Sequence, residues 1–592
     1  MNKISVNKKR LIIIILLISI MAALSMANLG NRYLWYDEAH TALMGRNVLQ
    51  YGVPKVWDGE YLITTSNGND FNDRFIIVKD GYVQYYLAAL GELTSSFVHP
   101  RFIFVLLGII GAVVFYFLTK QLTDNDKISL IALFLYGTSI PIILYIRQVR
   151  YYSPCILFGL LTLLTYLLAI KTNKLKHWIA FSISSILLYH SLYLFFMIIM
   201  IAIFMRYVLY DRNKIHIKGL LISLSVVFIF TFPLFLYNQS FLNNLGDERS
   251  SFQGFGYLLL QAPGYLWQLN SYFFPFIGLG LFYAFMYLIK RITNRKKKIF
   301  DNDMLTMNRK KIRISATTFL VVSVIFANVI TVSAFSLQYA TRYLIPSILV
   351  GYIAFAILLT KILSKDKLFG TILVIVAAFT NLINISPYLI LKNLNLYKLP
   401  YTESIVKPPL PYFIAQGNFL EKHTLTSYLE NNMQLVSYTK LFFSEIFNDY
   451  GDATEGVVKF LNENANENDT VQADDFISDS IAYYTKLKVV NRMTVINDPQ
   501  NFWYTIYDKL PNTEKYIHLT YYPRDLIKWI VYLPNSKQEF ETIKSSIDRT
   551  KYDVFEVTNY PHAPFAADIW EHSFTTDYTY TNALIIKNKS IQ

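Results

Sequence analysis

The chain has 592 residues, 53% of them hydrophobic and only 16% charged, with a formal net charge of +14. Soluble domains carry about a quarter charged residues, and runs of roughly 18 or more apolar residues match the span of a bilayer core. An ordinary cytosolic enzyme, a disordered chain and a fibrous protein are therefore excluded, and the sequence reads as a polytopic α-helical membrane protein.

Lys3, Lys8, Lys9 and Arg10 precede an uninterrupted apolar run from Leu11 to Met26. No small-residue cleavage site follows before Arg32, so the run reads as a retained first helix with a cytoplasmic N-terminus. Further spans are expected near 101–119, 128–146, 152–170, 177–191, 192–210, 217–237, 272–290, 314–335, 343–361 and 368–391, eleven helices in all. Excess Lys and Arg fall in alternate short loops, most densely at 290–313, and mark the cytoplasmic side. This explains the net charge without a nucleic-acid partner. Segments 31–100, Ile146–Tyr151, Tyr189–Tyr193, 238–271, Gln338–Arg342 and everything after 392 then lie outside. The alternation requires Tyr82–Phe97 to be a helix lying along the interface rather than a span.

Residues 392–592 differ in composition from the rest. Asn- and Asp-rich turns such as Asn462–Asp469 separate β-prone runs at Thr470–Gln472, Lys488–Val490 and Trp529–Tyr532, with a helical pattern at Asp452–Leu461. Helix and strand alternating in this way predict a C-terminal extracytoplasmic α/β domain. The expected division is a transmembrane domain over 1–391, with a first external loop at 31–100, and the α/β domain over 392–592. The single cysteine, Cys155, rules out an intramolecular disulfide.

No P-loop, GxGxxG, HExxH, GxSxG or CxxC arrangement is present, so nucleotide-driven pumping and zinc hydrolysis find no support. Attention falls on Trp35-Tyr36-Asp37-Glu38-Ala39-His40, where two adjacent carboxylates follow the first helix. Carboxylates at a bilayer surface are costly unless solvated, paired or working. One can act as a general base on an acceptor hydroxyl; equally, Asp37 can be a helix N-cap. Arg147, Arg150 and Arg342 are external cations against the positive-inside trend, suited either to a lipid phosphate or to headgroup snorkelling. Tyr151, Tyr152 and Tyr343 stand beside them and can face a sugar or prenyl chain. His190, at the tip of a helical hairpin, can bond a donor or simply be solvated. In Asn559–Ser573, His562, Asp568, Glu571 and His572 fit no compact zinc spacing, and a packed loop is expected.

Tyr36-Asp37-Glu38-Ala39-His40 and Arg46–Pro54, followed by Tyr85–Leu90, His99-Pro100-Arg101, Arg150–Ser153 and Thr341–Pro346, together resemble the GT-C membrane glycosyltransferases. The resemblance is to the protein O-mannosyltransferase-like and lipid A aminoarabinose transferase-like groups, and it covers the first 390 residues. It implies a polyprenyl-phosphate-linked sugar donor, an acceptor hydroxyl outside the membrane, inversion at the anomeric carbon, Asp37 as catalytic base and Glu38 as its supporting carboxylate. The aminoarabinose transferases carry Lys-Pro-Pro at the end of the loop where this chain reads Val78-Lys79-Asp80-Gly81-Tyr82, which weakens a phosphate-binding role for Lys79. Some members of the wider superfamily need a divalent cation and others do not. Asp37, Glu38, Asp70 and Asp73 can supply oxygen ligands, and their spacing does not decide. The rival reading is a non-catalytic transporter or assembly partner for lipid-linked sugars, which needs no base at Asp37.

Overall fold

The computed structural model describes most of residues 8–94, 99–249 and 315–374, together with the C-terminal stretches 453–491, 527–558 and 582–591. Its helices are α1 (Lys8–Met26), α2 (Tyr36–Tyr51), α3 (Val83–Thr94), α4 (Arg101–Thr123), α5 (Asp126–Gly137), α6 (Ile140–Ile146), α7 (Tyr152–Thr172), α8 (Leu175–Tyr189), α9 (Tyr193–Arg206), α10 (Ile217–Arg249), α11 (Ala316–Phe335) and α12 (Ile345–Lys365). Seven helical segments among the described residues are long and apolar enough to cross a membrane, or eight if α5 and α6 form one bent span. The expected span at 272–290 and most of 368–391 lie outside the described residues. Ile12, Leu16, Phe228, Ile229 and Phe230 are left more than half exposed, a face that acyl chains rather than water would cover.

The span expected over 128–146 is not one straight helix: α5 and α6 meet at a bend of 63°. Ser139 caps α6 and Pro141 occupies its first turn, where a missing N–H costs nothing. The Ser139 hydroxyl also shares a 2.5 Å hydrogen bond with the Tyr352 phenol of α12.

Among the described residues, several segments that the charge alternation places on one face come together at one end of the bundle. There the end of α1, the start of α4, the α6–α7 turn and the α8–α9 turn meet the first loop. At the other end, Arg10 of α1 pairs with Asp126 of α5 at 2.6 Å, Lys120 of α4 joins Asp126 at 3.1 Å, and Arg206 of α9 pairs with Asp211 at 2.8 Å.

Helix α3 buries Tyr85, Ala88 and Ala89 and exposes Tyr86, Leu90 and Leu93, as expected of an interfacial helix. It crosses α2 closely because Gly45 has no side chain: a Cβ there would lie 2.8 Å from Ala88. Gly81, just before α3, presses on the α8–α9 turn. A Cβ there would come within 2.1 Å of the His190 carbonyl oxygen, which accepts the Val83 N–H at 2.9 Å.

In the C-terminal third, α13 (Ala453–Asn464), β1 (Thr470–Ala473), α14 (Asp475–Tyr484), β2 (Lys488–Asn491), β3 (Trp529–Tyr532), α15 (Lys537–Ser546), β4 (Tyr552–Thr558) and β5 (Asn582–Asn588) form a small α/β unit. Its mixed sheet has the order β2-β1-β3-β5-β4, with β1 parallel to β2 and β3, and β5 antiparallel to β3 and β4. One continuous apolar core joins this unit to the first loop, with Leu34, Ala39 and Leu43 packed in the same cluster as Leu461, Ile477, Ile481 and Trp529.

Candidate functional site

Helix α2 begins at Tyr36 with Trp35 as its N-cap, so Asp37 is not the cap but lies in the first turn beside Glu38. Both carboxylates are favoured there by the positive end of the helix dipole. Their surroundings separate them. Glu38 is fully buried, and its two oxygens receive Arg101 Nε at 2.8 Å and Nη2 at 2.5 Å. It also accepts the Val149 N–H at 2.8 Å and, at 3.4 Å, that of Trp35. Arg101 completes its fork by donating to the carbonyls of Leu29 and Tyr33, both at 3.1 Å. The Glu38 carboxylate is thus an anchor that ties α1, α2, α4 and the α6–α7 turn together.

Asp37 keeps a partly open side chain, with 19% of its surface exposed, and pairs through Oδ2 with Arg150 Nη2 at 3.1 Å. Arg150 also donates to the Thr41 hydroxyl at 3.2 Å. Burial works against its charge, yet Asp37, Tyr151, Asp80 and Tyr152 outweigh that and raise its pKa. Asp80, which sequence reasoning passed over, therefore belongs to this electrostatic environment; it also accepts the Tyr85 phenol at 3.2 Å. Its only sequence signal is an acidic residue at the end of the loop.

The predicted aromatic residues gather here. Arg150 lies over the Tyr151 ring at 5.1 Å, and the rings of Tyr151 and Tyr152 are 4.6 Å apart. Arg342 lies over Tyr343 at 5.4 Å. The Tyr151 phenol is raised by burial first and then by Tyr152 and Tyr343, while Arg342 and Arg150 pull it down. Arg150, Tyr151, Tyr152, Arg342 and Tyr343 consequently share one neighbourhood, although they come from two distant segments. Lys79 lies outside the described residues.

Arg147 has a different place. It donates to the carbonyls of Ser25 at 3.0 Å and Ala27 at 2.8 Å, closing the C-terminal end of α1 where unsatisfied carbonyls accumulate. His190 Nε2 sits 3.0 Å from the Phe230 carbonyl, and its own carbonyl anchors α3, so its contacts are with neighbouring helices. His99 is held neutral beside these cations. Burial, then Arg101 and Arg147, lower its pKa from 6.5 to about 3, and its Nδ1 accepts the Arg101 N–H at 3.3 Å. The unfolded chain takes this proton below about pH 6.5, but the folded chain takes it only near pH 3. Stability is therefore expected to fall as pH drops through that window, by about 1.4 kcal/mol per unit for this one proton. A His99→Asn variant should show a smaller loss of thermal midpoint between pH 7 and pH 5 than the wild type. An equal loss would show that His99 does not couple stability to pH.

Arg101 occupies both oxygens of Glu38, and Arg150 takes Oδ2 of Asp37. No group of three or more His, Cys, Asp or Glu residues converges among the described residues. Asp70, Asp73 and the Asn559–Ser573 segment with His562, Asp568, Glu571 and His572 lie outside those residues.

No protein-family model matches the chain, and no curated protein matches it. Among solved structures it is similar to ArnT from Cupriavidus metallidurans bound to undecaprenyl phosphate, with TM-score 0.53 and 12% identity over 99% of both chains. It is also similar to the apo state of that protein, with TM-score 0.53 and 10% identity over 98% of both chains. The Archaeoglobus fulgidus oligosaccharyltransferase in complex with zinc and sulfate aligns at TM-score 0.43 and 14% identity, over 88% of this chain and 67% of its own. At such identities the likeness speaks for the architecture alone: the chain is a multi-pass membrane protein with the fold of ArnT and a small C-terminal sheet domain.

Proposed function

We propose that this chain is an integral membrane glycosyltransferase that moves a sugar from a polyprenyl-phosphate donor to an acceptor hydroxyl, with inversion. The observation that carries the reading is the division of labour within Asp37-Glu38. Glu38 is enclosed by Arg101, while Asp37 stays partly open and meets Arg150 among Tyr151, Tyr152, Arg342 and Tyr343. A transporter has no need of an open carboxylate held beside a cation cluster. Asp37 deprotonates the acceptor as it attacks the anomeric carbon. Arg150 and Arg342, with Lys79 where the loop brings it in, take the donor phosphate and neutralise its charge as the sugar–oxygen bond breaks. The tyrosines flank the sugar or the prenyl chain. Before donor arrives, Arg150 neutralises Asp37; a phosphate that competes for this guanidinium frees the carboxylate to act as base.

In this proposal the N-terminus is cytoplasmic, residues 1–391 form the transferase domain, and residues 392–592 form an extracytoplasmic domain over the site. The fold shared with an undecaprenyl-phosphate-bound protein supports the donor class. The test is release of free polyprenyl phosphate by purified protein in lipid, offered a panel of polyprenyl-phosphate sugars with and without an envelope extract. Acceptor-dependent release from one donor is the expected result. Saturable donor binding with no release under any condition would overturn the proposal in favour of the transporter.

A further inference from the structure

Helix α14 of the C-terminal unit grips the turn that carries Asp37 from both sides. Leu34, three residues before Asp37, donates its N–H to the Tyr484 phenol at 2.8 Å, and its carbonyl accepts the Ser480 hydroxyl at 3.0 Å. Both main-chain groups of Leu34 are thus satisfied by side chains more than 440 positions away in sequence. Three residues after Asp37, His40 Nδ1 meets Asp479 Oδ2 at 3.1 Å, and both side chains are only 2% exposed. Tyr33 stacks on Tyr484 with centroids 4.2 Å apart. Six residues further along α2, Arg46 donates to the Tyr483 carbonyl at 3.0 Å and to Glu92 of α3 at 2.9 Å, and Glu92 also accepts the Tyr483 phenol at 2.6 Å.

These bonds do not repeat what Glu38 does. The Glu38–Arg101 pair fixes α2 against the membrane helices, whereas α14 fixes the approach to α2 and its second turn from the opposite unit. Asp37 is carried in the first turn of α2 and pairs with Arg150, so its carboxylate follows the backbone that those two clamps place. A base displaced by about 1 Å can lose about a hundredfold in rate. We infer that Ser480, Tyr484 and Asp479 on α14 are positioning residues for Asp37, so the C-terminal unit is part of the catalytic apparatus rather than a separate cover. This rests on Asp37 being the base, and the experiment keeps the two claims apart.

The full-length protein in lipid is compared as wild type, Tyr484→Phe, Ser480→Ala, the double variant, Ser480→Thr and Asp37→Asn. Two readouts are taken: amide hydrogen exchange of the segment containing Leu34–His40, and the kinetics of polyprenyl-phosphate release. The expected result is exchange at Leu34 at least about tenfold faster in the double variant, with α4 and α7 as protected as in the wild type. The rate constant kcat should fall about tenfold for each lost bond, with the donor KM within about twofold, and Ser480→Thr should restore it. Unchanged exchange and kcat in the double variant, alongside an inactive Asp37→Asn, would overturn the positioning role while leaving the base intact. An active Asp37→Asn would instead overturn the base and with it this inference, even where exchange at Leu34 rises. Loss of protection throughout α4 and α7 in the double variant would show a merely structural role, which the milder Tyr484→Phe checks independently.

Discussion

Asp37→Asn is expected to lower acceptor-dependent polyprenyl-phosphate release by about 10²- to 10⁴-fold, the usual contribution of a positioned general base. The substitution keeps the side chain's size and leaves an oxygen to accept from Arg150, which now sits 3.1 Å from Asp37 Oδ2. The fold should therefore survive, because the buried anchor is the neighbouring Glu38 and not Asp37. Donor binding should persist or tighten slightly, since Arg150 is relieved of its carboxylate partner and is more available to phosphate. An unchanged turnover rate would remove Asp37 as the base and direct attention to another group at the same end of the bundle, Asp80 first.

Arg101→Ala is expected to damage the fold itself. It would strand the fully buried Glu38 carboxylate, which takes two hydrogen bonds from that guanidinium, and would release the carbonyls of Leu29 and Tyr33. Breaking a buried ion pair by removing one partner costs about 3–5 kcal/mol, a large share of the ~5–15 kcal/mol that holds a typical protein folded. The measurement is thermal midpoint and monodispersity in detergent, with Asp37→Asn as the folded reference. A double change to Glu38→Met and Arg101→Leu should recover much of the lost stability, because it removes both charges together. If Arg101→Ala folded as well as the wild type and lost only activity, Arg101 would belong with the substrate-binding residues and Glu38 would not be an anchor.

Much of the fold was legible in the sequence. The spans were readable because about 18 apolar residues in a row have few other stable uses, and α4, α7 and α12 begin within two residues of where the runs predict. That α3 is a short helix and not a span was readable from its length and polar interruptions. Strands β1, β2 and β3 fall on the β-prone runs expected for them, because short runs of β-branched and aromatic residues carry that preference locally. The bend at Ser139 was missed, since a capping serine and a proline inside an apolar run do not lower its hydrophobicity.

The site was legible only as an inventory. The sequence by itself determined that Asp37-Glu38 follows the first helix and that Arg150 and Arg342 head later spans, since each is a local feature of one segment. Only the tertiary structure decided that Glu38 belongs to Arg101, that Asp37 belongs to Arg150, that Arg147 closes α1, and that Leu34 and His40 are held from α14. Helix and strand formation follow the spacing of neighbouring side chains. Which partner a carboxylate meets depends instead on packing between segments that, for His40 and Asp479, are 439 positions apart, and no local pattern encodes that choice.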